Sequence, residues 1–128
     1  MRKLSLILAA LLLLSACNQR VENNQEAVYM NITAEEAKQL MDSEENYIIL
    51  DTRTQEEYDE KRIPGAILIP YDQILEKAES VLTDKDQLIL VYCRSGRRSK
   101  LAAEDLVKLG YTNIREFGGI IDWPYETE

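Results

Sequence analysis

Between Val91 and Lys100 the sequence runs VYCRSGRRSK, placing one thiol, three arginines, a glycine and a lysine at the end of an apolar run. The chain carries a net charge of −8, so this local gathering of cations calls for a chemical reason. Neighbouring positive charge favours thiolate over thiol, and the thiolate is the nucleophilic form of cysteine. Apolar periodicity stops at Tyr92 and turn chemistry begins at Cys93, so Cys93 is expected in a loop and not in a core. A loop curling into a helix start aims successive backbone N–H groups at one point, and the helix dipole adds partial positive charge there. Gly96 lets such a backbone turn with no side chain blocking the cradle that Ser95 and Gly96 would help to form. Arginine is disfavoured at a helix N-terminus by the dipole. Arg94, Arg97 and Arg98 together are therefore hard to read as scaffold, and they point to an anion held beside a reactive sulfur.

Composition narrows the chemistry further. With no histidine in the chain, a Ser-His-Asp triad is excluded. Two cysteines without histidine do not furnish a usual zinc set, so neither a metal nor a cofactor is expected. A pI near 4.6 argues against nucleic acid, which needs a basic face to displace its counterions. The 128 residues, 45% of them hydrophobic, suffice for one core and one small domain.

The elements that must position Cys93 are legible in the rest of the chain. TAEEAKQLM opens with a capping box, Thr33 followed by Glu36, and repeats apolar residues at one helical face. YIILD is a short apolar run ending in Asp51, the pattern of a strand buried on both faces. TQEEYDEK reads as a short polar helix. In IPGAILIP, Pro64 and Gly65 make a tight turn before a second buried run. YDQILEKAESVL is helical in period, QLILVY is a third apolar run, and SKLAAEDLVKLG is a helix closed at Gly110. NIREF supplies a last short strand. Such alternation predicts an α/β domain over residues 30–128, with a mostly parallel sheet and helices on both faces. In that architecture sites form at the carboxyl ends of strands, which is where Asp51, Arg53 and Cys93 fall.

Residues 1–29 read differently. Met1, Arg2 and Lys3 form a basic start, and the 13 residues from Leu4 to Ala16 are uncharged and apolar, short of the ~20 a spanning helix needs. The stretch reads as an export signal over residues 1–16. LSAC, Leu14 to Cys17, resembles a bacterial lipobox, in which the cysteine is lipidated and becomes the new N-terminus. The expected location is extracytoplasmic, anchored to a bacterial membrane through Cys17. Residues 17–29, polar and without period, read as a flexible tether.

From Asn31 to Trp123 the chain resembles the rhodanese-like family of single-domain sulfurtransferases. CRSGRRS looks like the family's active-site loop, with Cys93 as the persulfide-forming nucleophile and Arg98 closing a six-residue loop. DTR from Asp51, EEY, IPGAILIP and GGIIDW match further landmarks in the usual order. One departure is Arg62, which stands where many members carry histidine and is expected to be scaffold. The resemblance implies a five-stranded sheet, a small anionic sulfur donor such as thiosulfate, and a thiophilic acceptor, cyanide or a thiol. Arg94 and Arg98 are then expected to hold the donor's oxyanion end, since guanidinium offers paired donors. Arg97 is free to face water. Arg53 approaches from the neighbouring strand end, and Asp51 orients the loop; for these two an ion pair within the scaffold is the competing reading.

Two other classes share some of these features. Cysteine phosphatases and arsenate reductases resemble this arrangement but use Cys-x5-Arg, a loop one residue longer, whereas Ser99 stands at that position here. The other is a non-enzymatic rhodanese-like module that binds a partner or carries sulfur as a sensor, against which the intact Cys93 and the full loop count.

Overall fold

The computed structural model describes residues 28–128. The residues read as an export signal, Cys17 and the expected tether up to residue 27 lie outside the described residues. The elements run β1 (Met30–Asn31), α1 (Ala34–Ser43), β2 (Tyr47–Asp51), α2 (Gln55–Glu60), β3 (Ile67–Leu68), α3 (Ile74–Val81), β4 (Leu88–Cys93), α4 (Arg97–Lys108) and β5 (Ile114–Gly119). Short 3-10 turns precede α3 at Tyr71–Gln73 and follow β5 at Ile120–Asp122.

Side-chain alternation along β4 builds both faces of the sheet. Leu88, Leu90 and Tyr92 join one apolar cluster with Ala37, Ile63, Phe117 and Trp123. Ile89 and Val91 join the other with Ala78, Ala102, Leu106 and Ile114. A strand with no polar face is thus covered by α1 on one side and by α3 and α4 on the other. Helices lie on both faces, as the alternating pattern predicts.

The sheet has five strands in the order β1-β5-β4-β2-β3, and every pairing is parallel. The chain passes from β2 outward to β3, then crosses back over β2 to β4. The strand order therefore reverses between β2 and β4, the place where parallel sheets open a crevice at their carboxyl ends. Asp51 ends one of those strands and Cys93 the other.

Helix starts follow their caps. Thr33 accepts the Glu36 N–H at 3.1 Å and begins α1. Thr54 and Glu57 form a reciprocal capping box at α2. Two local readings change. The run after Pro64-Gly65 is not a second buried strand: β3 is two half-buried residues at the sheet edge, with a neighbour on one side only. β1 carries too few residues to show a period, and pairs with Arg115 and Glu116 of β5. Tyr29, placed by its sequence in the tether, packs against the α4-side core.

Candidate active site

Cys93 is the last residue of β4, and it is buried, with 1% of its surface exposed. The expectation of a loop residue outside the core is corrected here. The strand continues through Cys93 because β5 still pairs opposite it, at Gly119, across an irregularity in register after Val91. The loop that follows folds back over the sulfur.

Gly96 makes that fold possible. Its φ of 106° and ψ of −14° lie in the left-handed region, where an L side chain is strained. The turn brings the Gly96 N–H to 3.0 Å from Cys93 Sγ and begins α4 at Arg97. Ser99, on the first turn of α4, sets its hydroxyl 3.3 Å from the same sulfur. Burial pushes the thiol up, but the Ser99 hydroxyl and the backbone N–H groups of Ser99, Gly96 and Ser95 outweigh it and hold Cys93 below the ordinary thiol value. The stabilised anion is therefore the thiolate, supported mainly by fixed hydrogen-bond donors.

The loop is seated on β5 and the turn after it. Ile121 N–H donates to the Arg94 carbonyl at 3.3 Å. At Gly119 the backbones approach so closely that a Cβ would lie 1.9 Å from that carbonyl oxygen. Only glycine fits beneath the loop.

The arginines divide their labour. Arg98 makes a two-pronged ion pair with Glu57 of α2, at 2.6 and 2.9 Å. That guanidinium holds the Glu57 carboxyl down to about 2 against the opposing push of burial, with Thr54 adding to the effect. The pair therefore stays ionised through the neutral range, and its contribution to stability fades only as pH falls from the ordinary carboxylate range towards 2. Arg98 also faces Cys93 and Asp51, both of which favour its charge. Its fork is nonetheless spent on Glu57 rather than left open for a ligand. Ser95 on the loop and Arg97 at the start of α4 are exposed. Arg94, also exposed, lines a cleft of about 350 Å3 with Arg53, Lys61, Glu57, Glu60, Ile120 and Ile121.

Asp51 and Arg53 form a buried ion pair, with Arg53 Nη2 2.7 Å from Asp51 Oδ2. Asp51 also accepts the Tyr92 hydroxyl at 2.7 Å, and Arg53 donates to the Lys61 carbonyl. Burial and the Asp51 charge together push the Tyr92 phenol well up, so it remains a neutral donor. The hydrogen bonds of Asp51 thus run to Arg53 and Tyr92, not to the loop itself; the carboxylate fixes Arg53 at the cleft and Tyr92 beside Cys93. Arg62 lies over the Tyr58 ring, 4.7 Å from its centroid, and pairs with Glu128 at 3.2 Å, away from the sulfur.

Three contributors escape the sequence reading. Ser99 stands out there only as a residue that is not arginine. Glu57 stands within the landmark EEY but is given no role there until α2 brings it to Arg98. Glu116, 2% exposed, sits behind Ser99 at 2.7 Å. The first-turn position of Ser99, three residues after the glycine, is the one local signal that could have marked it.

The site is a buried cysteine whose sulfur meets backbone and hydroxyl donors at the switch point of a parallel α/β sheet. The family model of the Rhodanese-like domain matches residues 33–124, and the chain belongs to the rhodanese-like family. It is 40% identical over 98 residues to YrkF of Bacillus subtilis (strain 168), a candidate sulfur carrier protein, covering 76% of this chain and 52% of that one. The chain thus spans about half the length of that relative. It is 37% identical over 73 residues to the thiosulfate sulfurtransferase PspE of Escherichia coli (strain K12), covering 57% of this chain and 70% of PspE. A solved structure described as a rhodanese with anions from E. coli superposes with a TM-score of 0.60 at 33% identity, covering 64% of this chain and 96% of the other. Its relatives therefore include sulfurtransferases.

Proposed function

We propose that the protein is a thiosulfate-type sulfurtransferase that moves a sulfane sulfur through a persulfide on Cys93. The observation that carries this reading is the sulfur at the focus of the Gly96 N–H and the Ser99 hydroxyl; Arg94, the residue after it, lines a cleft with Arg53 and Lys61 and with Glu57 and Glu60. The Cys93 thiolate attacks the outer sulfur of the donor. A new S–S bond forms, the donor's own S–S bond breaks, and its electron pair leaves with sulfite. One negative charge remains, on the outer sulfur of the persulfide, where loop donors stabilise it as an oxyanion hole stabilises an acyl intermediate. An acceptor, cyanide or a thiol, then attacks that outer sulfur and restores the thiolate. In this reading Arg94 meets the donor's oxyanion end from the cleft that it lines together with Arg53. Arg98, read from sequence as sharing that task, acts instead by pinning α2 to the loop through Glu57.

A donor and acceptor screen that includes phosphate esters tests the reading. Multiple turnovers of thiosulfate with cyanide or a thiol are expected. Hydrolysis of phosphate esters without sulfur transfer would overturn it in favour of a phosphatase. Stoichiometric loading of sulfur without turnover would make the protein a carrier, the description given to YrkF.

We propose further that the domain works outside the cytoplasm, tethered by acyl chains on Cys17. Two signals or chains give stable anchoring where one gives marginal binding. Cys17→Ser should abolish metabolic labelling by a radioactive fatty acid and release the protein from membranes, with sulfur transfer unchanged. Equal labelling of both proteins would defeat the anchor.

A further inference from the structure

Glu116 is a carboxylate that the sulfur-transfer mechanism does not use. It lies on β5, buried on the α4 face, and no lysine or arginine pairs with it among the described residues. Its Oε1 accepts the Gly118 N–H at 2.8 Å and stands 2.7 Å from Ser99 Oγ. On its other side Ser99 Oγ stands 3.3 Å from Cys93 Sγ, with the carbonyls of Gly96 and Gly118 at 3.1 and 3.4 Å. Ser99 is fully buried and has one hydroxyl proton, so it cannot donate to sulfur and carboxylate at once.

We propose that Glu116 is a positioning residue that tunes the charge on Cys93 by competing with it for the single hydroxyl proton of Ser99. The inference rests on the reading of Cys93 as the nucleophile. The shorter contact, 2.7 Å against 3.3 Å, draws the Ser99 proton towards the carboxylate and weakens the share that reaches the sulfur. Whatever frees that proton turns it onto the thiolate or persulfide and favours the anion.

The remaining charged groups around this chain of three are few. From α4, Arg98 faces Cys93 while Glu57 holds it, and from β2 Asp51 faces Arg98. The Tyr29 phenol, ahead of β1, feels both Glu116 and Glu104 of α4. None of them touches Ser99, so the serine is the single bridge between sulfur and carboxylate.

Opposite effects of the two partners provide the test. Iodoacetamide alkylation of Cys93 is followed against pH in the full-length chain carrying Cys17→Ser, so that one thiol is read without any sulfur donor. Glu116→Gln keeps the shape and removes the competing charge, so the midpoint should move down by about one pH unit and alkylation at acidic pH should rise about tenfold. Ser99→Ala removes the donor to sulfur and should move the midpoint up. Ser99→Thr keeps a hydroxyl and should restore the wild-type profile. Lower rates in both variants with an unmoved midpoint, or shifts in the same direction, would overturn the proposal. Should a variant fail to fold, the unsubstituted pair still answers: the carboxyl carbon of Glu116, followed by NMR at one pH, should shift once alkylation of Cys93 leaves Ser99 to the carboxylate alone, and an unchanged signal would refute the competition. A protein that passes these tests yet transfers no sulfur would refute the sulfurtransferase reading alone.

Discussion

Cys93→Ser is expected to reduce sulfur transfer to the uncatalysed background while leaving the fold intact. The serine hydroxyl is close in size to the thiol and still accepts the Gly96 N–H that now meets sulfur at 3.0 Å, so the cradle has no reason to open. What is lost is the element itself. A hydroxyl cannot form the S–S bond on which a two-step transfer depends, and at neutral pH it is not ionised by this set of donors. Incubating the wild-type chain with thiosulfate alone should add the mass of one sulfur atom to the peptide containing Cys93. Cyanide should then remove it as an equal amount of thiocyanate, and the serine variant should do neither. Anaerobic handling matters, because a persulfide or thiolate that oxidant reaches climbs the oxidation ladder and Cys93 is the free cysteine among the described residues. Transfer persisting in Cys93→Ser would end the persulfide mechanism.

How far such a site can be read in advance depends on how local its causes are. The strand YIILD, the core of the run QLILVY, the cap at Thr33 and the turn at Pro64-Gly65 are set by neighbours a few residues away, and each is found where the pattern puts it, with the third strand running one residue further, through Cys93. β1 and β3, two residues each, owe their existence to pairing with β5 and β2, and no period can announce a strand of that length. The same division runs through the site. The placement of Cys93 at a strand end before a helix follows from hydrophobic periodicity alone. The engagement of Arg98 depends on Glu57, 41 positions earlier, and the environment of Ser99 on Glu116, 17 positions later. Both are tertiary pairings between residue types that are common on surfaces, and only the packing of α2 and β5 around the loop singles them out. The burial of Cys93 has the same origin. Turn residues mark where the loop begins, but the direction in which it folds, back over the sulfur, is imposed by β5 beneath it.

The support under the loop makes Gly119→Ala the most damaging substitution expected away from the sulfur. A Cβ there would lie 1.9 Å from the Arg94 carbonyl oxygen, 2.3 Å from its carbonyl carbon and 2.5 Å from the Ser95 nitrogen. All three are backbone atoms, so no side-chain rotation can relieve the contact. Either β5 retreats, breaking its pairing at Cys93, or the loop lifts by more than an ångström. Lifting costs less, because β5 and β4 are locked by their ladder while the loop is held at Arg94 by a single long hydrogen bond from Ile121. The Gly96 N–H and the loop's other donors would then no longer converge on the sulfur. The thiol should return towards its ordinary value, and misplacement on this scale costs about 10²-fold in rate. Overpacking adds a stability loss on the order of 3 kcal/mol, which a thermal melt would register beside the kcat/KM for thiosulfate. The pH midpoint of Cys93 alkylation separates the causes: a lifted loop raises it, whereas simple loss of folded protein lowers the amplitude and leaves it in place. If Gly119→Ala retains wild-type kcat/KM and an unshifted midpoint, the loop does not owe its geometry to the close approach at Gly119.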